Sequence, residues 1–321
     1  MSDFHRALRE WGPDSLERSP LEPAAAERFC RSTARSHYEN FPVATLLLPA
    51  ALRQHFYNVY AFCRWADDLA DETGDRVRAL QLLAWWRSEL ASCFAGTPQH
   101  PIFVALAGTI TEFDMPRAPF EDLISAFEQD QRVARYDTYA ELLAYCRRSA
   151  NPVGRLVLHL FRQSKPEDHA CSDQICTGLQ LANFWQDVSR DYDIGRVYLP
   201  LEDRMHFGYS DADLAARRTN SEFVALMEFQ VRRARGLLQA GLPLADRFPG
   251  RFQGTVELFA SGGLKILDRI ERSGYRVWDN RPRIGKRDVF GIFIRVLLRS
   301  IGRKLKLIPA RRMEPAAEVL P

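Results

Sequence analysis

Paired cysteines are missing from this chain. Its six cysteines (Cys30, Cys63, Cys93, Cys146, Cys171 and Cys176) include no CxxC and no zinc-like spacing, which excludes a disulfide scaffold and a zinc ribbon. Cys30, Cys63 and Cys146 lie in apolar, helical-looking contexts where a free buried thiol is expected, so the reading is a reducing, cytoplasmic setting. None of the seven histidines forms HExxH or another ligand pair. His55, His100, His159, His169 and His206 are expected to be structural or at the surface. No uncharged apolar run reaches the length of a membrane span. Residues 1–10 show no apolar stretch followed by a cleavage site, so no signal peptide is expected. Period-two alternation is nearly absent too, which leaves an all-α protein as the expectation.

What is present reads as helix after helix. The spacing predicts helices over about 23–35, 50–71, 76–95, 101–113, 117–131, from Thr138 to a kink or break at Asn151-Pro152-Val153-Gly154, again through Leu156–Phe161, then 168–192, 211–218, 220–247 and 252–273. Gly74, Gly96-Thr97-Pro98, Met115-Pro116 and Ser164-Lys165-Pro166 act as breaks. A poorly ordered N-terminus (residues 1–22), one helical domain (23–282) and a basic C-terminal tail (283–321) are expected.

Two of these helices invert the usual surface pattern. At about 100° per residue, Tyr60, Arg64, Asp67 and Asp71 share one ridge, and Val59, Phe62, Trp65 and Leu69 flank it. Gln180, Asn183, Asp187 and Asp191 form a second ridge between Leu179, Leu181, Phe184, Trp185 and Val188. A polar stripe in an apolar helix points to burial nearly all round, with one face on a polar cavity. Carboxylates four residues apart repel, and burial makes that repulsion costly unless cations neutralise them. Hard oxygen ligands on helices suit Mg²⁺, which completes its shell with water and substrate phosphates. Two such pairs across a cavity would clamp a diphosphate, with Arg64 and Arg196 adding charge-assisted bonds. A single DxxxD is more often a solvated face or an internal salt bridge; two matched ridges make that reading less attractive.

Tyr60-x3-Arg64-x2-Asp67-Asp68-x2-Asp71, together with Gln180-x2-Asn183-x3-Asp187-x3-Asp191-x4-Arg196-Val197-Tyr198-Leu199-Pro200, closely resembles the squalene/phytoene synthase family over roughly residues 30–280. The resemblance implies a single-domain isoprenoid synthase fold with helices around a central cavity, Mg²⁺ dependence and a prenyl diphosphate substrate. By position it implies metal binding at Asp67, Asp71, Asp187 and Asp191 with help from Asn183, and a substrate site lined by Tyr60, Arg64 and Gln180. His37, Tyr38 and Asn40 fall where the family has a short diphosphate-contacting segment. Arg147, Arg196 and Tyr198 complete the candidate substrate set. Tyr38–Val43, Ser149–Arg155, Asn183–Asp187 and Gly262-Gly263-Leu264 resemble the bacterial hydroxysqualene synthases of hopanoid biosynthesis. That likeness implies conversion of presqualene diphosphate and water to hydroxysqualene and diphosphate, with no nicotinamide cofactor. Gln186, Arg147 and Gly262-Gly263 depart from the Arg, Tyr and Tyr of phytoene- and dehydrosqualene-forming members. They are expected at cavity positions, where the missing ring at Gly262-Gly263 would leave room for an attacking water.

The net charge of +3 is unevenly spread, since residues 283–312 carry +9 and the rest −6. Within 289–308, Arg295, Arg299 and Arg303 form a basic stripe opposite Phe290, Phe293, Val296, Leu297 and Ile301. This fits a helix lying on an anionic membrane surface, at the inner face of the cell membrane; a helix packed on its own domain is the alternative. Nucleic acid is not an expected partner, because aliphatic rather than stacking aromatic residues separate the basic ones. Two rival functions remain: a squalene or phytoene synthase condensing two prenyl diphosphates, and a non-catalytic relative acting as an assembly factor. A head-to-tail prenyltransferase fits less well, because the second motif lacks a doubled Asp.

Overall fold

A computed structural model describes residues 3–15, 21–36, 48–248, 251–283 and 285. The described residues form α1 (Asp3–Trp11), α2 (Pro23–Ser36), a 3-10 turn (Ala50–Leu52), α3 (Arg53–Asp71), α4 (Arg76–Phe94), α5 (Pro101–Phe113), α6 (Ala118–Asp130), α7 (Tyr139–Ser149) and α8 (Asn151–Leu160). Beyond these come α9 (Pro166–Asp193), α10 (Leu201–His206), α11 (Asp211–Ala215), α12 (Ser221–Gly241), α13 (Pro243–Arg247) and α14 (Arg251–Arg272). Among the described residues the only β pairing is an isolated bridge between Arg135 and Val197. The all-α expectation therefore holds. No described helix is long and apolar enough to cross a membrane.

The helices divide into two compact units. The first contains the described residues up to Ser36, Pro49–Val133 and Arg155–Ser164; the second contains Leu48, Ala134–Gly154 and the chain from Lys165 onward. At the centre of the first, α3 packs against α2, α4, α5 and α6. Its apolar flank enters an aromatic core in which Trp65 stacks on Trp86 at 6.0 Å and Phe62 stacks on Trp86 at 5.8 Å. Fully buried His100 belongs to that core, and its Nδ1 accepts the Ile102 amide at 3.2 Å to cap α5. This bears out a structural role for it.

At the centre of the second unit, α9 packs against α7, α12, α13 and α14. Closeness of α9 to α12 depends on glycine: a Cβ at Gly178 would meet Leu238 at 2.8 Å, and one at Gly241 would run into the Ile175 side chain. Each acidic motif thus lies on the most heavily packed helix of its unit, which is why each shows a polar stripe in an apolar context.

Local signals placed most boundaries. Asp75 caps α4 by accepting the Val77 amide at 2.8 Å. Thr138 and Glu141 form a reciprocal capping box at the start of α7. Three differences from the sequence reading have physical causes. Residues 3–11 are helical, within the stretch expected to be poorly ordered: buried Phe4 meets the edge of Trp65 at 5.4 Å, a tertiary contact that periodicity over nine residues does not reveal. The predicted helix 220–247 is two helices, because Pro243 lacks an amide to continue α12. The short α10 falls between the predicted elements, where no helix was expected. The basic stretch 289–308 lies outside the described residues.

Candidate active site

Burial sorts the first motif as its pattern requires. Val59, Phe62, Trp65 and Leu69 are buried, Tyr60, Arg64 and Asp67 are half-buried, and Asp71 is exposed. Arg64 organises the acids around it. Its Nη1 donates to Asp67 Oδ2 at 2.9 Å, its Nη2 pairs with Asp68, and Glu72 lies 3.9 Å away. One guanidinium thereby offsets part of the repulsion among four acids in the span 67–72. Asp68 is only 2% exposed, and burial pushes its carboxyl up to about 6 despite Arg64 beside it. Burial also raises the Tyr60 phenol. Asp68 lies off the polar ridge, about 100° from Asp67 on the buried side. Its i, i+4 relation to Arg64 was the available signal.

The second motif occupies the C-terminal half of α9. Asp187 is 9% exposed and is held by both arms of Arg281, through Nε to Oδ1 and through Nη2 to Oδ2 at 2.8 Å. Asp191 is half-buried. Burial and the charge of Asp187 push its carboxyl up to about 7, against the pull of Arg196, Arg281 and Arg190. Arg196 is brought there by its own backbone, whose amide donates to the Asp191 carbonyl at 2.7 Å. A cavity beside them is lined by Asp191, Arg196, Tyr198, Phe184, Trp185 and Trp278, among others. Tyr198 stacks on Phe184 at 3.7 Å, and Tyr145 and Tyr136 extend the stack.

The remaining candidates are less gathered. Gln180 is half-buried and Asn183 exposed on α9, while Arg147 is exposed on α7. His37, Tyr38 and Asn40 lie outside the described residues. Arg281 was missed entirely: it is 94 residues from Asp187, and no local pattern links the two.

The departures at 147, 186 and 262–263 were expected at cavity positions; Gln186 does line a cavity, with Arg269, Trp278 and Arg281, and it is Gly263 that the packing closes. Gln186 is buried and its Nε2 donates to the Pro282 carbonyl. A Cβ on Gly263 would meet Leu179 at 2.8 Å and Leu238 at 2.9 Å, so no ring fits there without repacking. Only Gly262 has open space, with nothing within 4 Å of where a Cβ would stand.

Among the described residues no three His, Cys, Asp or Glu side chains converge as a ready-made metal cage. The second motif nonetheless suits a hard cation. Asp187 and Asp191 offer only oxygen donors, they repel one another, and Asp187 already carries a guanidinium where a cation would bind.

Residues 34–288 match the squalene/phytoene synthase family. The phytoene synthase of Arthrospira platensis is 32% identical over 283 residues, covering 82% of this chain and 90% of that protein. The 15-cis-phytoene synthase of Synechocystis sp. is 32% identical over 271 residues, 80% of each chain. Among solved structures, squalene synthase HpnC from Alicyclobacillus acidocaldarius is 44% identical with a TM-score of 0.76, over 80% of this chain and 97% of that one. A dehydrosqualene synthase solved with a ligand gives a TM-score of 0.79 at 25% identity, over 89% and 98%. These matches span both acidic helices and the helices packed around them, and the chain belongs to the squalene/phytoene synthase family.

Proposed function

We propose that this chain converts presqualene diphosphate and water to hydroxysqualene and diphosphate. Membership makes it an isoprenoid synthase of the family that carries out head-to-head prenyl condensation by a metal-dependent mechanism. The 44% identity to squalene synthase HpnC over 97% of that chain, against 25–32% for the dehydrosqualene and phytoene synthases, supports the squalene side of the family. The hydroxylated product within it rests on the departures at Arg147, Gln186 and Gly262. The open space at Gly262 agrees with it, since it leaves room for a water where a ring would stand.

In this reading Asp67 and Asp71 form one pair of carboxylate ligands for Mg²⁺, and Asp187 and Asp191 form another, assisted by Asn183. Bound Mg²⁺ would supply charge neutralisation for the departing diphosphate. Arg64 and Arg196 add charge-assisted bonds to its oxygens. Tyr60, Gln180, Arg147 and Tyr198, with His37, Tyr38 and Asn40, complete the substrate site. The C–O bond breaks and diphosphate leaves with the electron pair. The cyclopropylcarbinyl cation left behind rearranges and opens its three-membered ring to give an allylic cation. The apolar wall keeps bulk water away, and one held water adds through oxygen and gives up a proton. The basic stretch 289–308 holds the enzyme at an anionic membrane surface, where substrates with long hydrocarbon tails reside.

The test is mass spectrometry of products from presqualene diphosphate with Mg²⁺ and no reductant. Hydroxysqualene is the expected product; squalene or no product refutes the proposal. The second reading, direct condensation of two prenyl diphosphates, is favoured by the 32% identity to phytoene synthases. Incubation with farnesyl diphosphate alone distinguishes it. Absence of diphosphate release from every such substrate would leave the non-catalytic reading.

A further inference from the structure

We infer that Arg281 is a built-in cation occupying the Asp187 half of the metal site, and that a divalent ion binding there displaces it and loosens residues 276–283 from α9. The inference rests on Asp187 being a metal ligand, as proposed above.

After α14 the chain turns back through Gly274 and Tyr275, both at positive φ (62° and 61°). It then crosses its own unit as a strap. Val277 and Trp278 anchor it, at 1% and 7% exposure, with the indole 5.7 Å from the Tyr192 ring and 5.8 Å from Phe223. Beyond this anchor two neighbouring side chains of α9 hold the strap: Gln186 donates to the Pro282 carbonyl, and Asp187 accepts both arms of Arg281. Pro282 biases Arg281 towards extended backbone, which reduces the freedom lost in making this contact. The Asp187 and Arg281 side chains are 11% and 27% exposed, so the pair is largely out of water.

Both Asp187 oxygens are engaged by the guanidinium, in the bidentate geometry that arginine forms with carboxylates. A Mg²⁺ ion bound through either oxygen brings its own tightly held waters, and the fixed positive charge of Arg281 opposes it. The two cations are therefore competing occupants of one carboxylate. Exchange of one for the other keeps Asp187 paired at every stage, whereas stripping it of both would leave a buried charge uncompensated. Once Arg281 is displaced, the Gln186 bond and the buried Val277 and Trp278 still hold the strap to this unit.

The experiment is calorimetric titration of the full-length protein with Mg²⁺ alone, for wild type, Arg281→Gln and Asp187→Asn, alongside hydrogen exchange of residues 276–283 in wild type with and without Mg²⁺. Arg281→Gln is expected to bind Mg²⁺ at least about tenfold more tightly, which is ~1.4 kcal/mol. Saturating Mg²⁺ is expected to lower strap protection in wild type, a readout that needs no variant to fold. Unchanged affinity in a folded Arg281→Gln protein, or strap protection unaltered by Mg²⁺, overturns the inference while leaving Asp187 as a ligand. If Asp187→Asn binds Mg²⁺ as wild type does, the ligand reading itself fails and takes the inference with it.

Discussion

Gly262 and Gly263 are neighbours on one helix with opposite tolerances. Gly262 faces open space, whereas Gly263 is closed in by Leu179 and Leu238. Replacing Gly262 by Ala should stabilise α14 by ~0.5–1 kcal/mol, because alanine loses less backbone freedom in a helix. The same change at Gly263 should cost ~1–3 kcal/mol through overpacking. Urea denaturation of the two variants checks both signs. Gly262→Tyr is then the substitution that tests for water at this position: a folded enzyme with reduced hydroxylated product is expected. The acids of the first motif separate in the same way. Asp67→Ala should lower kcat by about 10²-fold or more, as loss of a group that stabilises departing charge does. Asp68→Ala should instead cost about 1–3 kcal/mol of stability, because it removes a buried hydrogen-bonded partner of Arg64 and leaves that guanidinium with Asp67 and Glu72 alone. Kinetics and denaturation, measured on both, separate the roles.

At the scale of elements, α3 and α9 are stable helices carrying charge that their surroundings oppose. The Asp191 carboxyl is raised from 3.8 to about 7 and that of Asp68 to about 6, both chiefly by burial. Between about pH 4 and 7 the folded chain holds protons that the unfolded chain has released. The sign follows: these groups make metal-free stability fall as pH rises through that window and level off above pH 7. Melting temperatures from pH 4 to 8 should show that slope, and saturating Mg²⁺ should flatten it. Both ridges were legible in the sequence because a helix with a polar stripe in apolar surroundings is distinctive at period 3.6. The caps at Asp75 and Thr138 were legible for the same local reason. The partner of Asp187 was not, since a charge pair 94 residues apart depends on how the chain returns after α14.

For the whole molecule, the uneven charge is the property with the widest consequence. Residues 283–312 hold +9 of a net +3. Full-length protein should sediment with anionic vesicles at low salt and be released by added salt, with ~1 kcal/mol for each basic residue near the surface. A chain ending at Asp288 should stay in the supernatant; unchanged binding would remove the tail from the proposal. The two compact units also exchange chain, with Arg155–Ser164 belonging to the first although Ala134–Gly154 belongs to the second. Composition along the chain shows no trace of that exchange, because both units draw on the same helical pattern.

Helix content, most boundaries, the two acidic ridges and the family were determined by the sequence itself. All of them depend on residues within a few turns of one another, where spacing and capping act directly. Tertiary structure decided which of the marked residues have room and which have partners. It gave open space to Gly262 and denied it to Gly263, placed Gln186 under the Pro282 carbonyl, and set Arg281 on Asp187. These outcomes depend on side-chain packing and on charge pairing between distant segments, and a linear pattern carries no record of either.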